Sequence, residues 1–276
     1  MAAGAFADPR SDTECDRAEL AARCQAIFSV MERYATIVVV GGGCYGSYYV
    51  RQLRRAARAG ALEAARVVVV DRDPRCAVSA VLVTSDGMPV ELVTEEWTPF
   101  FADYFAAAGR ADTPSRDAIV PSPLMPHLMF EWLLHRSRDR WPHRVVDARA
   151  LPPVPAMPWQ REGGDGVRYV SFAEWMCPVN CIEPTLCPAT KGVRSWSMPP
   201  AIVAYVEEER RRGHALGGPV VLHCRHRTYG VGMIDTSAVL EGDRVVAEAG
   251  ANGPAEVLVG TVSHCHGALA VLGIGA

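Results

Sequence analysis

Lysine is nearly missing from this chain. Of the 28 lysines and arginines, only Lys191 is a lysine. A GC-rich coding bias explains the arginines, but the exception stands four residues after Cys187, and an ammonium is a compact charge that a guanidinium does not imitate. Also missing is any basic run with interleaved aromatics. With a net charge of −3 and a pI of about 6.2, that argues against nucleic acid as a partner. The opening MAAGAFADPRSDTE has neither the charged start nor the apolar stretch of a signal peptide. Apolar runs are strand-sized, far short of the ~20 residues of a membrane span. The expectation is a soluble, cytoplasmic protein. Nine cysteines are an odd number, and in that compartment thiols stay reduced, which sets a disulfide framework aside.

What is present is a long apolar composition, 49% of 276 residues, enough for one large domain or two ordinary ones. Residues 14–33 carry Leu20, Cys24, Ile27, Phe28 and Met31 at helical spacing, which predicts an amphipathic helical extension over 1–33. From 34 to 150 strand and helix signals alternate, the pattern of a parallel sheet with helices on both faces. Expected strands there are 36–40, 66–71, 90–93, 117–120 and 144–148. LPPVPAMPW and REGGDG interrupt the alternation, so 151–166 reads as a Pro/Gly-rich linker. Residues 167–276 then read as a smaller mixed α+β domain. It has a helix over 200–212 and strands in PVVLHCRH, VGMIDTSAVL, DRVVAEAG and AEVLVGTVSHCHG.

Two stretches carry chemistry. The first is TIVVVGGGCYGSYYV, in which Gly41-Gly42-Gly43-Cys44-Tyr45-Gly46 matches G-x-G-x-x-G between a strand and a helix. The first glycine makes the tight turn, the second lets a pyrophosphate approach the backbone, and the third lets the helix pack on the strand. Amides at the helix start then hold the anion. Cys44 and Tyr45 lie inside this turn. Asp71, 25 residues beyond Gly46, closes the second strand, where a carboxylate accepts bonds from a ribose diol. The acid favours NAD, while Arg72 beside it keeps NADP possible.

On the glycine turn and VVVVDRDP, the N-terminal part resembles the NAD(P)-binding Rossmann superfamily, and most closely the nucleotide-binding domain of TrkA-type potassium-uptake regulators. The resemblance covers roughly residues 36–150 and implies a Rossmann-like fold with nucleotide contacts at Gly41, Gly43, Gly46 and Asp71. Tyr48 and Tyr49 depart from the small residues common at those helix positions, and the second half does not resemble the regulators' ligand-sensing domain. If the topology holds, His127 follows a strand at its carboxyl end, where an imidazole can act as acid or base.

The second stretch is CPVNCIEPTLCP, residues 177–188. Three prolines argue against a long hydrogen-bonded ladder, so something else is expected to hold it. Cys177, Cys181 and Cys187 suit zinc or an iron–sulfur cluster, with Cys265 as fourth ligand and His264 or His266 as substitutes. Redox-active or nucleophilic thiols assisted by Lys191 or Arg194, and a purely structural loop, are the other readings. The fold class expected is α/β, a Rossmann-like domain followed by a cysteine-bearing one. The expected function is redox: hydride or electrons passing between a nicotinamide and a centre at the three cysteines, or a small substrate or redox partner beside it. The alternative is a nucleotide- or metal-sensing regulator of TrkA-like type. An oligomer is compatible with either.

Overall fold

The computed structural model describes residues 31–82, 88–110, 116–154, 157–164, 166–173 and 181–276. The helix expected from residue 14 lies outside the described residues as far as 30, as do Cys15, Cys24 and Cys177; Glu32 and Arg33 already belong to a strand.

The chain is mixed α/β, with two mixed sheets and six helices among the described residues. The first half supplies β1 (Glu32–Val40), α1 (Cys44–Arg58), β2 (Leu62–Asp71), the single turn α2 (Ser79–Leu82), β3 (Val90–Thr94), α3 (Trp97–Ala108) and β4 (Ala118–Val120). The chain continues through α4 (Leu128–Arg140), β5 (Val146–Arg149), β6 (Trp159–Glu162), β7 (Arg168–Ser171), α5 (Met198–Arg211) and β8 (Leu216–His223). It ends with β9 (Arg225–Thr228), β10 (Val231–Asp235), α6 (Thr236–Gly250), β11 (Ala255–Val262) and β12 (His266–Ile274).

The first sheet runs β3-β2-β1-β4-β10-β9. Its β3, β2, β1 and β4 are mutually parallel; β10 is antiparallel to β4, and β9 to β10. The second runs β6-β7-β12-β11-β8, with β5 also on β12. Valine runs make β1 and β2 because branched side chains pack well on both faces of a covered sheet. Alternation sends Ile37, Val39, Val67 and Val69 to one face, against Tyr49, Val50 and Leu53 of α1. Val38, Val40, Val68 and Val70 face the other way, onto α3, α4 and α6. Two of those helices, α4 and α6, also cover Val220, Leu222, Val257 and Val259 of the second sheet. Its far face packs Leu258, Leu269 and Val271 on Met198, Ile202 and Val206 of α5. The order of layers is therefore helix, sheet, helices, sheet, helix, with the middle helices shared.

Three local expectations change. The strand expected at 144–148 forms as β5, but it pairs antiparallel with β12 in the second sheet; Arg144 anchors it there by bonds to the carbonyls of Gly250, Gly253 and Gly275. The strand of VGMIDTSAVL ends at Asp235, and TSAVL and DRVVAEAG both belong to α6, not to strands. Val239, Gly242, Val246 and Gly250 recur at helical spacing on its buried side, and two valines in a row do not outweigh that face. The strand expected through residue 266 stops at Val262. Ser263 Oγ accepts the amides of Cys265 and His266, both at 3.2 Å, and so turns the chain into β12. No helix among the described residues is long and apolar enough to cross a membrane.

Candidate functional site

The glycine turn sits at the carboxyl end of β1. Gly41 has φ +82°, and its amide reaches Val70 O at 2.9 Å. A Cβ on Gly46 would stand 1.9 Å from Gly41 O, whereas one on Gly43 would meet nothing within 4 Å. The turn thus has one glycine needed for backbone conformation, one for helix packing, and one facing open space. Gly42 is also sterically required: a Cβ there would lie 2.3 Å from Cys76 Sγ, because Val78 donates to Gly42 O at 2.7 Å and draws the 72–78 loop onto the turn. The first turn of α1 has no acidic residue and no side-chain cap, so its leading amides keep their donors for an anion.

Asp71 lies beside this turn. One carboxylate oxygen accepts the Gly42 amide at 2.7 Å and the other the Asp73 amide at 2.9 Å. Arg72 is directed to Glu96, 3.9 Å away. Cys44 is exposed and Tyr45 half-buried against the α1 core. Tyr49 is buried within that core, edge-on to Tyr48. His127 precedes α4 and is 5% exposed. It stacks on Phe130, and its Nδ1 lies 3.3 Å from Thr261 Oγ1. Burial pushes its pKa down to about 3, so the ring is neutral at physiological pH.

The cysteine stretch is described from Cys181 onward, and part of it is fixed by backbone pairing after all. Leu186 bridges Val193. The amides of Cys187, Lys191 and Arg194 bond the carbonyls of Gly192, Cys187 and Thr185 at 2.7–2.9 Å. None of those donors is a proline, which is why Pro184 and Pro188 do not prevent this short hairpin. Lys191 takes φ +58° within it. Cys187 is buried. The Thr190 hydroxyl, the Thr190 and Ala189 backbone and the Lys191 charge beside it hold the thiol below its usual pKa.

Cys265 occupies the β11–β12 turn. Trp196 Nε1 donates to its sulfur at 3.3 Å, and its amide donates to Glu183 Oε1 at 3.1 Å. Burial pushes this thiol up to about 11. The turn separates the neighbouring histidines. His264 Nδ1 lies 2.9 Å from Ser197 Oγ, and its ring is edge-on to His223. His266 Nδ1 lies 2.8 Å from Ser171 Oγ, and burial lowers its pKa. Among the described residues no three His, Cys, Asp or Glu side chains are grouped to hold a metal ion. Cys181, Cys187, Cys265, His264 and His266 are thus not gathered as one ligand set there.

Beside this hairpin lies a cleft of about 440 Å³. Glu183 and Arg194 come to it from the cysteine stretch, Arg225, His226 and Arg227 from β9, His264 from the β11–β12 turn, and Glu32 from the start of β1. Glu183 is 9% exposed and has φ +51°. Glu32, Arg225 and Arg227 line the cleft although no sequence motif singled them out as site residues. The available signal was LHCRHR, a strand end crowded with imidazoles and guanidiniums that a sheet interior does not need. No residue of the glycine turn lines the cleft, and Glu32 stands at the opposite end of β1 from Gly41.

The fold and these two places define a two-sheet mixed α/β protein with a glycine turn at one end of its parallel strands and a basic, histidine-bearing cleft beside a thiol hairpin. Residues 129–275, more than half of the chain, match the AF_1314_C family, described as the C-terminal domain of an uncharacterized protein. The chain belongs to that family. The match takes in α4 to β12, and so every cleft residue except Glu32; the glycine turn and Asp71 precede it. No curated protein and no solved structure matches the chain.

Proposed function

We propose that the chain is an NAD(P)-binding redox protein, with the nucleotide at the glycine turn. The observation that carries this reading is the division of labour within the turn: Gly41 at φ +82°, Gly46 packed against Gly41 O, and Gly43 opening onto free space. The parallel order β3-β2-β1-β4 supports a Rossmann-like reading, in which ligands bind beyond the carboxyl ends of the strands. Gly41, Gly43 and the leading amides of α1 would hold the pyrophosphate, and Asp71 the ribose. Since Arg72 is turned to Glu96, NAD suits the site better than NADP. When bound, the nicotinamide supplies hydride chemistry. Among the described thiols Cys187 is the one lowered from its usual pKa, by Thr190, Ala189 and Lys191 beside it; it is buried and stands beside the cleft rather than the glycine turn, so exchange with the nicotinamide would need a mobile acceptor between them.

A second reading is a nucleotide-sensing regulator of TrkA-like type. It is favoured by the cleft sharing no residue with the glycine turn. Calorimetric titration with NADH and NAD, on the parent and on Gly43→Val, tests the nucleotide site: unchanged affinity in the variant overturns it. Turnover of NADH with ferricyanide or a small disulfide as acceptor supports the redox reading. Tight binding without turnover supports the regulator.

A further inference from the structure

We infer that the cleft beside the cysteine hairpin binds a small carboxylate that also carries a hydroxyl or ammonium donor, selected by Arg194, Arg225 and Glu183. At about 440 Å³ the cleft falls in the size range of small-molecule sites. Most of the charge around it is already matched. Glu32 is held by Arg116 and by the Tyr34 hydroxyl at 3.2 Å. Arg227 makes a two-pronged pair with Asp235, at 2.7 and 2.6 Å.

Two guanidiniums and one carboxylate are left. Arg194 and Arg225 each use only Nε, at 3.4 Å to Pro184 O and at 3.4 Å to His223 Nδ1, which is long for such bonds. Their terminal amino groups have no hydrogen-bond or ion-pair partner among the described residues. Such planar forks match an oxyanion with two parallel bonds.

Glu183 narrows the class. Its carboxylate is buried in the same cleft, on a residue with left-handed backbone, and among the described residues only Oε1 is engaged, by the Cys265 amide. A non-glycine residue in that conformation is strained, and such strain persists where the surroundings over-determine it. The second oxygen asks for a donor. Doubly charged inorganic phosphate keeps one hydroxyl but concentrates two negative charges next to Glu183, and a phosphate monoester dianion has no donor at all; a carboxylate with a hydroxyl or ammonium on the neighbouring carbon satisfies the forks and Glu183 together. His226 also lines the cleft and donates Nδ1–H to Gly230 O at 3.2 Å.

The inference does not depend on the nucleotide reading, because the two sites share no residue. Calorimetric titration of the full chain with malate, aspartate, succinate and inorganic phosphate tests it. Malate or aspartate should bind at least about tenfold more tightly than succinate and phosphate, the size expected of one satisfied charged hydrogen bond. Arg194→Gln and Arg225→Gln should each weaken that binding about tenfold or more. Glu183→Gln should bring the malate and succinate affinities together, and Gly43→Val should change none of them. Melting curves matching the parent show that the variants fold. Absence of binding by all four probes, preference for phosphate, or affinities unmoved by both arginine variants would overturn the proposal.

Discussion

The Gly42 amide and the Asp71 carboxylate are joined by a 2.7 Å hydrogen bond across 29 residues of sequence. It ties the turn after β1 to the end of β2, the two places where a dinucleotide would be gripped. The same carboxylate caps the Asp73 amide with its other oxygen, so the ribose of the proposed nucleotide would share a group that is already positioning backbone. Asp71→Ala is expected to weaken NAD about tenfold or more and NADP less, because only a free 2′-hydroxyl gains from the acid. Asp71→Asn keeps an acceptor for the Gly42 amide and should melt closer to the parent than Asp71→Ala does. Paired titrations and melting curves check both.

Gly43 and Gly46 should separate binding from stability. Gly46→Ala places a methyl 1.9 Å from Gly41 O, a backbone clash that helix α1 relieves only by moving. The expected cost is about 1–3 kcal/mol or more in urea unfolding. Gly43 has φ −70°, and a methyl added there would meet nothing within 4 Å, so Gly43→Ala should leave the unfolding midpoint near that of the parent while weakening NAD.

Acid should destabilise the fold through its histidines before most carboxylates titrate. His127 is pushed down to about 3 by burial, and His223 to about 4 by burial and the neighbouring His264. In the unfolded chain both rings take up protons near pH 6.5. Their contribution is therefore complete above pH 6.5 and is lost as the pH falls toward 4 and 3, at up to about 1.4 kcal/mol per pH unit for each ring. Melting temperature should drop between pH 6.5 and 5, and His127→Leu should flatten that slope. An unchanged slope in the variant would remove His127 from the account.

Cys187 should be alkylated at lower pH than Cys265 or Cys224. Donors from Thr190 and Ala189 lower the first thiol, whereas burial pushes the others up to about 11 and about 12. Thr190→Val removes the largest of those donors and should move the pH dependence of Cys187 labelling upward, with Cys265 and Cys224 unmoved. Peptide mapping after timed iodoacetamide exposure reads all three.

The glycine turn was legible because its requirements are local. A strand, a left-handed glycine and a helix start are written in six consecutive residues, and Asp71 ends the next valine run. The cysteine stretch was less legible. Its prolines suggested a loop without pairing, yet the donors that close the hairpin are Cys187, Lys191 and Arg194, positions that proline spacing says nothing about.

The sequence by itself determined β1, β2, the turn between β1 and α1, and the acid at the end of β2, since branched residues, glycines and a strand end act over a few neighbouring positions. Only the tertiary structure decided that β9 and β10 complete the first sheet, that β5 joins the second, and that Glu32 meets Glu183, Arg225 and His264 around one cleft. Those arrangements bring together residues up to 232 positions apart. They follow from which apolar faces can be buried together, as in the helix layer shared by the two sheets, a condition on the whole chain that no local pattern contains.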